Sequence, residues 1–449
     1  MDIQATLDAL LTDHHDKLDT RAVLIGPGAL DAPGVAAIAT YLGAGPWLVA
    51  VDAHTWEAAG ARLTGAIDAA GHAWERYDVP DGHDSPHPMC DDASVEAFEA
   101  ALARGTYTGA IAVGSGTIND VVKLAAHRAG VPVACAGTAP SMNGYTSKIA
   151  AVLSDGVKTT VPCTAPRVVL ADLDVMCDAP PRMIASGLGD LISKPVSNAD
   201  WQLSASLNDT FHSAEAMEII ERGAAMLEGV APRLQGGDRE AMAGLVGSLM
   251  FSGLAMSVAG SSSPASGGEH LVSHFIDMEA HAYGMSYDLH GCQVGVGTLT
   301  TAHLYQRLAE LDPATIDVDA RVAALPAWED YDALLRERFG KLYPAVVKHT
   351  RLGYPTPDAL RARLERLTSG WDVILERVGR TLRSRDSIER DLLDCEGPTR
   401  FSQLDVDPER ARRAVTWSKD IRNRYTILHL AWELGLLDEW ADEALEDLV

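Results

Sequence analysis

The residues best equipped for chemistry stand in the stretch SGGEHLVSHF, from Ser266 to Phe275, where His270 and His274 are four apart behind a glycine-rich entry. On a helix that spacing stacks two imidazoles on one face, where they can share a metal or a small anionic ligand. Histidines at this spacing also occur on surface helices that bind nothing. The pattern is not the zinc-protease motif either, because Glu269 precedes the first histidine instead of following it. Two other stretches strengthen the metal reading: GLGD, ending at Asp190, lies upstream, and DLHG, containing His290, lies downstream. One carboxylate and two histidines can hold a divalent cation and leave positions open for substrate, the pattern of a catalytic ion.

Such side chains need a scaffold, and the totals bound what kind. A chain of 449 residues, 47% of them hydrophobic, is too long for one ordinary core and predicts two domains. A net charge of −26 repels nucleic acid and anionic lipid, so a phosphate-bearing ligand must be held by local donors. The six cysteines, Cys90, Cys135, Cys163, Cys177, Cys292 and Cys395, have no CxxC spacing and read as reduced, buried small hydrophobes. The opening segment lacks the basic start and apolar run of a signal peptide, and no apolar run reads as long enough to span a bilayer. A cytoplasmic protein with no membrane span is expected.

From Arg21 onward, short apolar runs alternate with helical segments. RAVLIGPGAL and PWLVAVDAHT read as strands, APGVAAIATYL and TWEAAGARLTGAIDAAG as helices, and the alternation predicts a parallel α/β sheet. Asp52 closes the second of these strands, where it suits either a ribose hydroxyl or a helix cap. DVPDGHDSPHPMCDD reads as a polar loop, and its His83 and His87 as ordinary loop histidines ahead of metal ligands. In TGAIAVGSGTINDVVKLAAHRAG a buried strand runs into Gly114, Ser115, Gly116 and Thr117 and then into a helix. That turn lets backbone amides approach an anion such as a pyrophosphate at a helix N-terminus. It departs from the usual dinucleotide fingerprint, because Asn119 and Asp120 stand where a third glycine is expected, and Asp120 with Lys123 also fits a surface ion pair.

A second loop of small donors follows the next strand, at Gly137, Thr138, Ala139, Pro140 and Ser141, with Asn143, Gly144, Tyr145 and Ser147 close behind. AAVLSDGVKTTVP reads as a hairpin about its Asp-Gly pair, and PRVVLADLDVM as a further buried strand. Pro180 and Pro181 mark a change of character, and the sequence beyond them is helical nearly to its end. The expected division is therefore an α/β domain over residues 1–178 and a helical domain over 179–449. Methionines in the second half read as core filler, and its apolar helical faces suggest a homodimer or higher homo-oligomer.

GSGTIND, TAPSMNGYTS, GLGDLISK, SGGEHLVSH and HGCQVGVGT, in that order, together with the tail NRYTILHLAWELGLL, resemble the sn-glycerol-1-phosphate dehydrogenases of the iron-containing alcohol dehydrogenase and dehydroquinate synthase-like superfamily. The resemblance runs from about Arg21 to past Leu437. It implies an N-terminal dinucleotide-binding α/β domain, an all-α C-terminal domain and an active site in the cleft between them. It assigns Asp190, His270 and His290 to a divalent metal such as zinc, nickel or iron, with His274 at the substrate. Gly114, Ser115, Gly116, Asp120, Thr138, Ser141 and Ser147 fall to NAD(H) or NADP(H), with Asp52 toward the adenosine ribose. The implied reaction is reversible reduction of dihydroxyacetone phosphate to sn-glycerol 1-phosphate. One position departs: many members carry a substrate-touching aspartate where this chain has Asn143, which keeps the hydrogen bonds but loses the charge.

Within that chemistry His274 either orients the substrate and passes a proton or supports the site from behind. Lys194, four residues after Asp190, either meets the substrate phosphate or pairs with an acid at the surface. A glycerol or other polyol dehydrogenase, or a cyclase of the dehydroquinate synthase type using NAD as a transient oxidant, are the rival enzymes on the same architecture. A non-catalytic nucleotide sensor is the rival of another class, disfavoured by the three candidate metal ligands kept together.

Overall fold

The computed structural model describes residues 2–82, 87–154 and 157–449. His83 and the Asp-Gly pair of the expected hairpin lie outside these. The chain forms two compact units: Met1–Leu191 with Glu215–Ser261, and Ile192–Ala214 with Ser262–Val449. This differs from the expected division after residue 178. The first unit recovers a later stretch of chain, because the helix Arg239–Ala259 packs on the turn Gly144–Thr146, the helix Leu173–Cys177 and the first helix, Ile3–Asp13.

The first unit is built on a parallel sheet of six strands: β1 (Ala22–Gly26), β2 (Trp47–Val51), β3 (Trp74–Asp78), β4 (Gly109–Gly114), β5 (Val133–Gly137) and β8 (Val168–Asp172). Their order is β1-β8-β5-β4-β2-β3, and every pairing is parallel. β2, β4, β5 and β8 are buried throughout, as expected of strands covered on both faces. β3, Trp-Glu-Arg-Tyr-Asp, escaped the sequence reading because it is an edge strand with charged residues, a composition that looks like loop. The expected hairpin is present as β6 (Ile149–Ser154) against β7 (Val157–Pro162), antiparallel and apart from the main sheet.

The helix Arg239–Ala259 corrects one expectation. Among the described residues it is long and apolar enough to cross a membrane, yet it is buried along most of its length inside the first unit. Its Asp238 cap and αL Gly260 end it as a core helix ends.

The second unit is helical throughout its described residues, as expected. Its centre is the pair Gly268–Tyr283 and His290–Glu310, both buried on most of their circumference. Around them stand shorter helices, many opened by a capping side chain, such as Thr356 on the amide of Ala359 and Asp407 on that of Arg410. The stretch PDALRARLERLTSGWDVILERV, which reads as one helical run, is broken at Gly370 into Pro357–Ser369 and Trp371–Gly379.

Lys123 shows how the first unit locks its loops. Its side chain is fully buried, 2.9 Å from Asp120 Oδ1, and donates to the carbonyls of Gly144 at 3.0 Å and Ile149 at 2.7 Å. The ion pair is therefore internal, not the surface pair that the spacing allowed. Burial alone would pull the ammonium's pKa down, but Asp120 holds it above its ordinary value. Replacing Lys123 by Met leaves a carboxylate and two carbonyls without their cation, and should lower the unfolding free energy by about 3 kcal/mol. A denaturant midpoint equal to that of the unmodified chain would show that the lysine locks nothing.

Candidate active site

In the second unit three imidazoles come together. His270 and His274, one turn apart, have ring centroids 6.1 Å from each other, and His290 lies 5.2 Å from His270 and 5.5 Å from His274. The approach of the two long helices sets these distances: a Cβ added at Gly297 would stand 2.7 Å from the carbonyl oxygen of Glu269. Each candidate ligand is held from behind. His270 Nδ1 is 2.7 Å from Glu269 Oε1, and His290 Nδ1 is 3.2 Å from Ser273 Oγ. Gln293 lies behind Ser273 at 3.5 Å and donates to Asp277 Oδ1 at 2.7 Å. With Nδ1 engaged on the protein side, Nε2 is the nitrogen that each ring would present to a ligand.

In the first unit Asp190 is fully buried near the end of the helix Pro181–Ile192. This helix comes so close to the second donor loop that a Cβ on Gly187 would stand 1.7 Å from the carbonyl oxygen of Pro140. That contact explains the first glycine of GLGD. Asp190 Oδ2 accepts the backbone N–H of Asn143 at 2.9 Å, and Oδ1 faces the Asn143 amide nitrogen at 3.3 Å. The same amide nitrogen reaches Ser252 Oγ at 3.1 Å, on the long apolar helix. A carboxylate at position 143 would set like charge against Asp190; the amide instead donates to it.

The glycine loop and the small-donor loop lie side by side because Gly114 and Gly137 are register partners at the ends of β4 and β5. Open α/β sheets bind ligands beyond these carboxyl ends. Ser115 precedes the helix Gly116–Ala129 without capping it, since its hydroxyl lies 2.5 Å from that of Ser141. Tyr145 donates to Ala139 O with its oxygen 3.2 Å from Ser115 Oγ, Ser147 donates to Gly144 O at 3.0 Å, and Thr138 is buried at the start of its loop.

Three assigned residues have other engagements. Asp120 pairs with Lys123 and accepts the N–H of Ala151 at 2.9 Å, so its carboxylate is a structural clamp. Asp52 caps the helix after β2, accepting from Thr55 N at 2.7 Å, while standing at the strand end where a ribose contact was expected. Lys194 is not at the surface: its buried ammonium donates to Ala265 O at 3.0 Å and Ser193 Oγ at 3.2 Å. His87 is exposed, with its ring 6.0 Å from that of His54, far from the imidazole trio in sequence and carried by the other unit.

The residues present fit a divalent cation by their chemistry: a buried carboxylate whose neighbour is an amide, and two imidazoles oriented through Nδ1. They fit a dinucleotide by the uncapped helix start beyond the paired glycines. Sequence reasoning passed over the supports, namely Glu269, Ser273, Gln293, Asp277, Ser252 and Asp200. Only Glu269 had a legible signal, its place beside His270.

The iron-containing alcohol dehydrogenase family profile matches residues 24–180. The glycerol-1-phosphate dehydrogenase (NAD(P)+) of Bacillus licheniformis is 30% identical over 331 residues, covering 73% of this chain and 68% of that protein. The enzyme of the same name from Pyrococcus furiosus is 39% identical over 211 residues, 47% of this chain and 60% of its own length. Among solved structures, a probable glycerol dehydrogenase from Sinorhizobium meliloti aligns with a TM-score of 0.60 at 16% identity, over 94% of this chain and 98% of that one. NADH-dependent butanol dehydrogenase A from Thermotoga maritima gives 0.58 at 14%, over 94% and 97%. At these identities the structures speak for the fold alone, whereas the sequence relatives carry the affiliation: this chain belongs to the glycerol-1-phosphate dehydrogenase family, within the iron-containing alcohol dehydrogenases.

Proposed function

We propose that this chain is a metal-dependent oxidoreductase of the cytoplasm that reversibly reduces dihydroxyacetone phosphate to sn-glycerol 1-phosphate with NADH or NADPH, working as a homodimer or higher homo-oligomer. The family supports the reaction class. The observation that carries the site is that His270 and His290 come together in the second unit, ring centroids 5.2 Å apart and each engaged through Nδ1, while Asp190, a fully buried carboxylate of the first unit, is the proposed third ligand. Two neutral imidazoles and one carboxylate leave a divalent ion with a charge of about +1, suited to a developing oxyanion, and with room for a hydroxyketone.

The reduced nicotinamide supplies the hydride, and the cation supplies Lewis-acid polarisation of the carbonyl. The chain's own residues do the rest. The amides at the start of the helix Gly116–Ala129, with Gly114, Ser115 and Gly116, receive the pyrophosphate. Thr138, Ser141 and Ser147 line the loop beside it, and Asp52 stands toward the adenosine ribose. Asp120 acts on this region through Lys123, holding the turn at Gly144. Asn143 can hydrogen-bond the substrate but cannot move a proton. The proton for the alkoxide oxygen therefore falls to His274, directly or through water, because an imidazole titrates near neutral pH. Lys194, fixed on the Ala265 carbonyl, contributes a stationary positive charge beside the segment leading to His270, not a mobile arm to the phosphate.

Purified protein given dihydroxyacetone phosphate should oxidise NADH or NADPH in stoichiometric amounts, and should turn over unphosphorylated dihydroxyacetone or glycerol at least ten-fold less efficiently by kcat/KM, about 1.4 kcal/mol. Catalytic NAD with no net change would instead reveal a cyclase, and indifference to the phosphate a polyol dehydrogenase. Metal chelation should abolish turnover and addition of a divalent ion should restore it. His270→Ala should remain inactive with metal added while keeping its circular dichroism; near-normal rates for this variant in metal-stripped buffer would refute the ligand assignment.

A further inference from the structure

Glu269 is unused by the resemblance and by the metal triad, yet it is fully buried in the second unit. Its Oε1 accepts the N–H of Gly267 at 2.8 Å and lies 2.7 Å from His270 Nδ1, while Oε2 is buried without a hydrogen-bond partner. Asp200, equally buried, accepts from Gly268 N at 2.7 Å, Tyr305 OH at 2.6 Å and Ile427 N at 2.7 Å. The two carboxylates flank Gly267. A Cβ there would stand 2.5 Å from Asp200 Oδ2 and 2.8 Å from Glu269 Oε2, so the glycine is the gap into which both oxygens project. Arg424 lies near both acids and pins the same segment by donating to Ser266 O and Ser262 Oγ, each at 2.7 Å.

Two buried carboxylates side by side are a poor device for stability, since exchanging buried charge for neutral groups of similar shape is often neutral or stabilising. Their placement has a different logic. We infer that Glu269 is the positioning residue for His270: its carboxylate accepts a hydrogen bond from Nδ1–H, fixes the tautomer and aims Nε2 outward, toward a metal. Asp200 holds the first turn of the same helix by its Gly268 amide, against Tyr305 and the Ile427 amide. His290 Nδ1 lies 3.2 Å from the neutral hydroxyl of Ser273, whereas His270 Nδ1 meets a carboxylate. This inference rests on the reading of His270 as a ligand.

The test is zinc affinity of the full chain by competition with a chromogenic chelator, read beside the melting temperature of the metal-free protein. Glu269→Gln should weaken zinc binding about 10- to 100-fold, with the metal-free melting temperature unchanged or raised. Glu269→Asp keeps the charge but shortens the reach, and should weaken binding similarly; it decides the matter should the glutamine variant fail to fold. Wild-type affinity in either folded variant, or a loss of affinity that merely follows a fall in melting temperature, would overturn the inference. His270→Ala separates the two levels of argument. If it still binds zinc like the wild type, the metal reading itself is wrong; if it loses zinc while Glu269→Gln does not, only the role of Glu269 is.

Discussion

Two helices that meet without a side chain between them govern the second unit. Where Gly297 faces the carbonyl of Glu269, any added carbon would push Gly268–Tyr283 and His290–Glu310 apart. The spacing of His270 and His290 would open with it. Buried side chains on both helices, Leu271, Phe275 and Ile276 on one and Val294, Val296 and Leu299 on the other, supply the dispersion that keeps the contact shut. Arg410 fixes the far end, donating to Ile276 O at 2.9 Å and Ser286 O at 2.6 Å, so the connection between the helices is tied down beyond the last turn. Position along the chain thus becomes position in space through a glycine at one end and a buried guanidinium at the other.

The same economy runs through the charges. The chain carries −26 overall, yet several cations are drawn inside: Lys123, Lys194, Arg410 and Lys419 are all nearly inaccessible. Each is spent on backbone carbonyls or a carboxylate, which is the condition for burying it. Burial pulls Arg424 down to about 10, with Arg422 adding to the fall and Glu269 and Asp200 opposing it. Burial and the Glu269 carboxylate push Asp200 up to about 7. The interior is therefore a lattice of mutual compensation within an acidic envelope, and an anionic substrate would have to be recognised by oriented donors in a small region, not by the field of the surface.

How much of this was legible depends on whether the cause was local. Strands β2, β4, β5 and β8 and the hairpin announced themselves, because burial on both faces or a turn between β-rich runs is written in consecutive residues. β3 did not, because an edge strand can be polar and its partner decides its conformation. The helix Arg239–Ala259 was underestimated: no apolar run read as long enough to span a bilayer, yet this core helix, buried within its own unit, has the length and composition of such a span. The candidate ligand residues were visible as types at spacings. Their supports were not: Asp200 is ten residues from Asp190 and sixty-nine from Glu269, and nothing in a one-dimensional pattern joins it to the amide of Gly268. Likewise Lys194 fitted either a substrate phosphate or a surface acid, and Lys123 fitted a surface ion pair, since the carbonyls that receive them come from distant loops.

Asn143 is where the architecture bears on the chemistry most directly. An aspartate there would face Asp190, and like carboxylates at hydrogen-bond distance cannot both stay ionised without a cation between them. The amide relieves that conflict, and both oxygens of Asp190 are hydrogen-bonded to residue 143. The relief has a chemical consequence, because an amide has no proton to give at working pH. Under the proposed mechanism proton delivery then rests on the imidazole of His274, whose ring stacks against His290 at an interplanar angle of 20°. Electrostatic ease beside Asp190 thus comes together with the loss of a proton donor at residue 143, and both follow from a single substitution of nitrogen for oxygen.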